Sequence, residues 1–146
     1  MSAQGNAIPS NLLQIGESFE QGYKPVLDFD GWRVAMLRHS DATDIDRFSR
    51  IEKHNGTHEV FILTGGKAHL IVAGNGRLPE GYVVLAMRHN VAYNVLPGVW
   101  HHAVLSDDAH IILFEKSNTS RDNSGYHFPD SGTMAALREK IRIFNV

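Results

Sequence analysis

The chain has 146 residues, 42% hydrophobic and 21% charged, with a formal net charge of -2, an ordinary balance for a globular domain. That balance, with no basic stripe, argues against a nucleic-acid partner; the absence of cysteine excludes disulfides and thiolate metal sites, so any metal must be held by His, Asp, Glu or water. No stretch approaches the roughly 18 apolar residues of a membrane span. The opening MSAQGNAIPSNLLQIGESFE lacks the basic and then apolar layout of a signal peptide, so a cytoplasmic protein with no membrane partner is expected.

Residues 1–11 read as a loose polar lead, and Tyr23-Lys24-Pro25-Val26 as an extended piece. From Trp32 the pattern becomes strand-like, with Trp32, Val34 and Met36 alternating with Arg33, Ala35 and Leu37. A polar turn follows at residues 40–44. Phe48, Arg50, Glu52 and His54 then alternate with Arg47, Ser49, Ile51 and Lys53, predicting a second strand. Asn55-Gly56 is a turn dipeptide, expected to fold the chain back. Residues 58–64 and 67–73 form two apolar strands around the Gly65-Gly66 turn. Strands at 82–87, 92–96, 100–105 and 109–115 complete the series. Spacings of about 8–12 residues between turn signals predict an all-β sandwich or barrel. Residues 117–132, rich in Ser, Asn, Asp and Gly, read as a loop. Residues 133–144 read as a helix capped by Ser131 or Thr133, with Met134, Leu137, Ile141 and Phe144 near one face.

The chemistry concentrates in two clusters. In a strand, residues two apart share a face, so Glu52 and His54 point the same way. Glu59 is in phase with Phe61 and Leu63, which want a core, so its carboxylate is expected inside, near His54. A buried carboxylate is costly unless paired or bound to a cation. After the Pro97-Gly98 turn, His101 shares a face with Ala103 and Leu105, and His102 takes the other. Small Ala103 favours His101 as the inward residue; a one-residue slip would exchange the two.

These clusters resemble the cupin family. Its first motif pairs two histidines two residues apart with a glutamate a few residues later and then a glycine. Here Glu52 stands at the first histidine, His54 at the second and Glu59 at the glutamate, followed by Gly65. Asp46 replaces the motif's opening glycine. In the second motif Gly98 and His101 match the glycine and histidine, while Leu96 replaces the proline and Leu105 the final asparagine. The chain is similar, more narrowly, to a group of small, mostly uncharacterised single-domain cupins that share the Glu52, His54 and Glu59 spacing, the Val99-Trp100-His101 string and a tail like residues 115–124. The five residues Gly98-Val99-Trp100-His101-His102 also resemble ureidoglycolate lyase, another cupin.

The resemblance implies a single cupin domain over 1–146: a double-stranded β-helix, or jelly-roll, barrel at about 30–116, then the loop and short C-terminal helix of 117–146. It also implies a divalent metal, Mn, Fe, Ni or Zn, on Glu52, His54, Glu59 and His101. Two imidazoles and two carboxylates suit such an ion in donor type and charge. The competing reading is a metal-free polar pocket whose carboxylates are neutralised by Lys or Arg. His58, one residue out of phase with Glu59, is expected at the surface. His69, His89, His110 and His127 carry no partner pattern. Trp100, Tyr93, Phe48 and Phe61 are expected as core before ligand wall. Arg38 and Arg50 can hold a substrate carboxylate, and surface salt bridges explain them as easily, although Arg50 is in phase with Glu52.

The functional expectation is a metal-dependent enzyme on a small organic acid, sugar or similar metabolite, with Glu52 or His58 as general base. The alternatives are a non-catalytic small-ligand-binding cupin and ureidoglycolate-lyase-like chemistry. A homodimer is also expected. Val60 and Ile62 back Phe61 and Leu63, and Ile112 and Phe114 back Ile111 and Leu113; a sheet apolar on both faces must be covered twice.

Overall fold

The computed structural model describes residues 7–143. Among the described residues, ten strands form two five-stranded antiparallel sheets. The first has the order β1 (Gly22–Phe29), β2 (Trp32–Arg38), β9 (His110–Lys116), β4 (Glu59–Gly65), β7 (Ala92–Val95). The second runs β10 (Ser124–His127), β3 (Ile51–His54), β8 (His101–Leu105), β5 (Ala68–Val72), β6 (Val83–Ala86). The chain changes sheet at nearly every connection between β3 and β10, so the sheets enclose a barrel. A 13-residue helix, α1 (Ser131–Ile143), follows. The all-β fold with one short C-terminal helix is the predicted one.

The interior follows from strand register. Across the first sheet, Ala35, Leu113, Phe61 and Tyr93 face one another in a row, and Leu37, Ile111 and Leu63 form the next. Leu70 opposite Ala103 and Ala68 opposite Leu105 meet them from the second sheet, and together they form the main core. Small alanines opposite large residues fit the narrow end of a barrel. The outer face of the second sheet presents Ile71 and Val104, which α1 covers with Met134, Leu137 and Ile141.

Four local expectations are corrected. The strand predicted from Arg47 begins only at Ile51; Phe48 sits in a turn and packs under α1 instead. Its alternation came from one residue anchoring a loop, a pattern indistinguishable from a strand over so short a run. Asn55-Gly56 does not close a hairpin, because β3 and β4 lie in different sheets. Residues 117–132 are not all loop: a 3-10 turn at Arg121–Asn123 leads into β10, which pairs with β3. Asp130 caps α1, its Oδ1 accepting from the Thr133 amide at 2.7 Å. Phe144 lies outside the described residues.

Glycine is required at one turn. Gly66 has φ +68°, and a Cβ there would sit 2.6 Å from the Ala109 backbone. The turn joining the two sheets therefore packs directly on the turn before β9.

Candidate functional site

At one end of the barrel the apolar rows give way to polar ones. On the first sheet Arg33, Glu115 and Glu59 are adjacent across β2, β9 and β4. On the second, Tyr126, Glu52 and His101 are adjacent across β10, β3 and β8, and Ser124 pairs with His54. A cavity of about 830 Å³ opens between these rows and extends along the segments 40–50 and 119–121. Phe61, Leu113 and Ala103 contribute apolar wall below the polar groups.

The four residues expected to converge lie together. His54 Nε2 is 2.9 Å from Glu59 Oε2 and 3.7 Å from Glu52 Oε1. His101 Nε2 is 3.2 Å from the same Glu59 oxygen. His54, Glu59 and His101 are buried, while the Glu52 side chain is 31% exposed toward the cavity. Glu52, His54 and His101 present one ligand atom each within 4.8 Å of one another. The phase assigned to His101 is the observed one. His102 points the other way, stacked on Phe48 with ring centroids 5.1 Å apart and its Nε2 2.9 Å from the Ala42 carbonyl.

The far nitrogens of both imidazoles are fixed by acceptors. His101 Nδ1–H donates to the Val99 carbonyl at 2.9 Å. The Ser124 hydroxyl gives its single proton to the Ser120 carbonyl at 2.6 Å, so it must accept from His54 Nδ1–H at 2.8 Å. Each neutral ring therefore turns a bare Nε2 toward Glu59. Two lone pairs and a carboxylate cannot share that space without positive charge between them: two added protons or one cation. Backbone bonds hold the arrangement, with the Gly98 amide on the His54 carbonyl at 2.8 Å and the Asn55 amide on the Asn123 carbonyl at 2.9 Å. Gly98, at φ +77°, makes the turn before β8.

The electrostatics agree. Burial opposes charge on His54 and His101, but Glu59 and Glu52 beside them hold both imidazoles above their ordinary range. Burial likewise opposes charge on Glu59, and the two imidazoles overcome it, pulling the carboxyl down to about 2. The residues fit a divalent cation: donors of the right type converge, and each imidazole donates its outer N–H to an oxygen, as metal-bound histidines do.

Four neighbours were not singled out as site residues from the sequence. Ser124 orients His54. Glu115 is buried beside Glu59, and it forms a further potential ligand group with His54 and Glu59. Tyr23 Oη–H and Arg33 Nη2–H, the latter at 2.8 Å, both donate to Glu115. Burial and then this carboxylate push the Tyr23 hydroxyl above its ordinary range. The available signal was phase: Arg33 is in phase with inward Ala35 and Leu37, and Glu115 with Leu113 and Ile111.

Other candidates lie elsewhere. Arg38 donates to the Ser18 carbonyl at 3.0 Å and covers the Phe19 ring, outside the cavity. Exposed His58 meets Asn94 at 3.2 Å, also outside it. Trp100 is buried against Ile51 and Ala73, with its indole N–H on the Gly76 carbonyl. Arg50 does line the cavity.

No family model matches the chain, and no curated protein does. Solved structures do match. The nucleoside dehydratase Pac13 of Streptomyces is similar with a TM-score of 0.53 over 81% of this chain and 89% of that one, at 10% identity. A cupin-2 domain protein of Shewanella frigidimarina gives 0.48 over 67% and 84%, at 17% identity. Hydroquinone 1,2-dioxygenase PnpCD, solved with Cd2+ and 4-hydroxybenzonitrile, gives 0.49 over 68% of each chain, at 16% identity. The chain has the cupin fold, the double-stranded β-helix that its sheet order describes. At these identities the likeness is one of fold.

Proposed function

We propose that the protein is a metal-dependent enzyme whose barrel cavity takes a small organic acid, sugar or similar metabolite. The observation that carries this reading is the pair of imidazoles with outer N–H groups fixed on Val99 and Ser124 and bare Nε2 atoms aimed at Glu59. Glu52, His54, Glu59 and His101 would hold Mn, Fe, Ni or Zn. A bound divalent ion supplies Lewis-acid polarisation of a substrate oxygen. Glu52, the least buried of the four, faces the open cavity and can take a proton from a substrate carbon or hydroxyl. Tyr23 keeps its proton at Oη against Glu115, and Phe61 and Leu113 exclude water from the cavity's inner wall.

One observation favours a second reading, a non-catalytic small-ligand-binding cupin. Protonated His54 and His101 would pair with Glu59 unaided, at 2.9 and 3.2 Å. Metal analysis of protein purified without chelator or nickel resin separates the two. Stoichiometric Mn, Fe, Ni or Zn, lost in the His54→Ala and His101→Ala variants, supports the enzyme reading. No metal, and no uptake when each ion is added, leaves the ligand-binding reading. A direct assay tests ureidoglycolate-lyase-like turnover.

A cytoplasmic homodimer is part of the same proposal. Among the described residues, no helix is long and apolar enough to cross a membrane. While α1 covers the second sheet, the first sheet's outer face leaves Met36, Val60, Ile62, Ile112 and Phe114 half-buried.

A further inference from the structure

We infer that the cavity selects organic anions, and that Arg50 and Arg121 at its mouth bind the substrate's carboxylate. The inference rests on the same cavity as the proposed function and names the substrate class it takes. Four arginines line the cavity. Two are committed within the chain, Arg33 to Glu115 at 2.8 Å and Arg47 to Asp41 at 2.6 Å. Arg50 and Arg121 make no ion pair with any described residue, and both are exposed. Arg50 is nevertheless held: its guanidinium lies 4.6 Å from the centre of the Tyr126 ring. Stacking on a ring face leaves the N–H edges free, the geometry that meets a carboxylate bidentately.

Register puts that anchor beside the polar floor. Tyr126 is directly opposite Glu52, and Arg50 precedes Ile51 on the same chain segment. Arg121 begins the 3-10 turn that leads into β10, on the same side of the barrel. The two free cations thus border Glu52, the most exposed of the four converging residues. The floor beyond them matches its own charges, Glu115 with Arg33 and Glu59 with the imidazole protons or a cation, so the two free cations at the entrance are the groups left to draw an anion. Phe61 and Leu113 on the wall and exposed Phe128 at the rim suit a ligand with a carbon skeleton. A small carboxylic acid, its acid group on the arginines and the rest inside, matches this layout.

The test is calorimetric titration of the Mn-loaded and the chelator-treated protein with matched pairs, succinate against succinamide and phenylacetate against phenylacetamide. At least one acid should bind at millimolar concentration or better, with its amide weaker by about tenfold or more. Arg50→Gln and Arg121→Gln should each weaken acid binding by a similar factor without changing metal content or the melting temperature. Arg77→Gln, outside the cavity, should change nothing. Equal binding of acid and amide, no binding of either acid, or full acid affinity in the Arg50→Gln/Arg121→Gln double variant overturns the inference. Arginine-dependent acid binding by protein that takes up no metal supports it while removing the metal reading. Bound metal without acid preference does the reverse.

Discussion

Ser124 Oγ stands 2.8 Å from His54 Nδ1 and spends its only proton on the Ser120 carbonyl. A residue of the polar tail thereby decides which nitrogen of His54 carries hydrogen. Ser124→Ala removes the acceptor, freeing the ring to rotate or change tautomer. Outer partners of metal-bound histidines are worth about 10- to 100-fold in metal affinity, so Ser124→Ala should weaken Mn or Zn binding by that factor in a calorimetric titration. Ser124→Thr, which keeps the hydroxyl, should restore most of it. Wild-type affinity in Ser124→Ala would remove the proposed orienting role.

Chelation should lower the melting temperature near neutral pH. An ion that binds only the native state stabilises it by about 2.7 kcal/mol at a hundredfold excess over the dissociation constant. For a chain of this size that corresponds to a shift of roughly 5–10 °C. His54→Ala and His101→Ala should remove most of the chelator effect. His110→Ala, at an exposed position outside the cavity, should leave it intact. Melts of each variant with and without chelator, alongside elemental analysis, give the comparison.

Much of this site was legible because its residues obey strand phase. Glu52 with His54, Glu59 with Phe61, and His101 with Ala103 each place a polar side chain on the face that the core residues define. Arg33 and Glu115 obey the same rule, but each is a charge at the end of an apolar run, with its partner more than eighty residues away in sequence. Phase predicts that each points inward; it does not predict that β2 and β9 are neighbours, which is what pairs them. Strand β10 is not legible in the sequence for a different reason. Ser-Gly-Tyr-His has neither length nor apolar alternation, and its pairing with β3 makes it a strand. Asn55-Gly56 marks a turn in the sequence, but a dipeptide carries no information on which strand pairs with which, and the barrel uses it to pass between sheets.

The dimer proposal has its own test. The half-buried row Met36, Ile112, Ile62 on the outer face of the first sheet lies across three adjacent strands. Ile62→Lys should put a charge in the centre of the proposed interface without touching the barrel interior. Light scattering at micromolar concentration should find wild-type dimer and mostly monomer in the variant. Monomer in both would remove the proposal.

Without metal, stability should fall on both sides of neutrality, for different reasons. Burial, reinforced by nearby His101, depresses His102 to about 4. Below the ordinary imidazole range the unfolded chain protonates this residue while the folded one does not, so stability drops between roughly pH 6.5 and 4. His54 and His101 are shifted upward. Their contribution is complete below about pH 6.5 and is lost as pH rises through their raised folded values. Glu59, held at about 2, contributes above its ordinary range and loses that contribution only as pH falls toward 2. Metal loading replaces the imidazole protons, so the alkaline loss should vanish while the His102 loss remains. Denaturant melts from pH 4 to 9, with and without Mn or Zn, check this. An alkaline loss unchanged by saturating metal would contradict it.

Arg33 and Glu115 should behave as one unit. The Arg33 side chain is 17% exposed and that of Glu115 is 5% exposed. Arg33 also reaches the Ser117 and Thr119 carbonyls at 3.4 and 3.3 Å, tying the tail to β2. Arg33→Met leaves a buried carboxylate close to Glu59, with Tyr23 as its remaining donor. Breaking one side of a buried pair costs about 3–5 kcal/mol, and the metal-free protein should lose about that much at neutral pH. Replacing both partners, Arg33→Met with Glu115→Gln, removes the stranded charge while Tyr23 can still donate to the amide oxygen. The double variant should therefore be more stable than Arg33→Met alone, a coupling that urea unfolding of the four-member cycle measures directly. Additive losses would mean that Arg33 stabilises the fold through the tail carbonyls and not through Glu115.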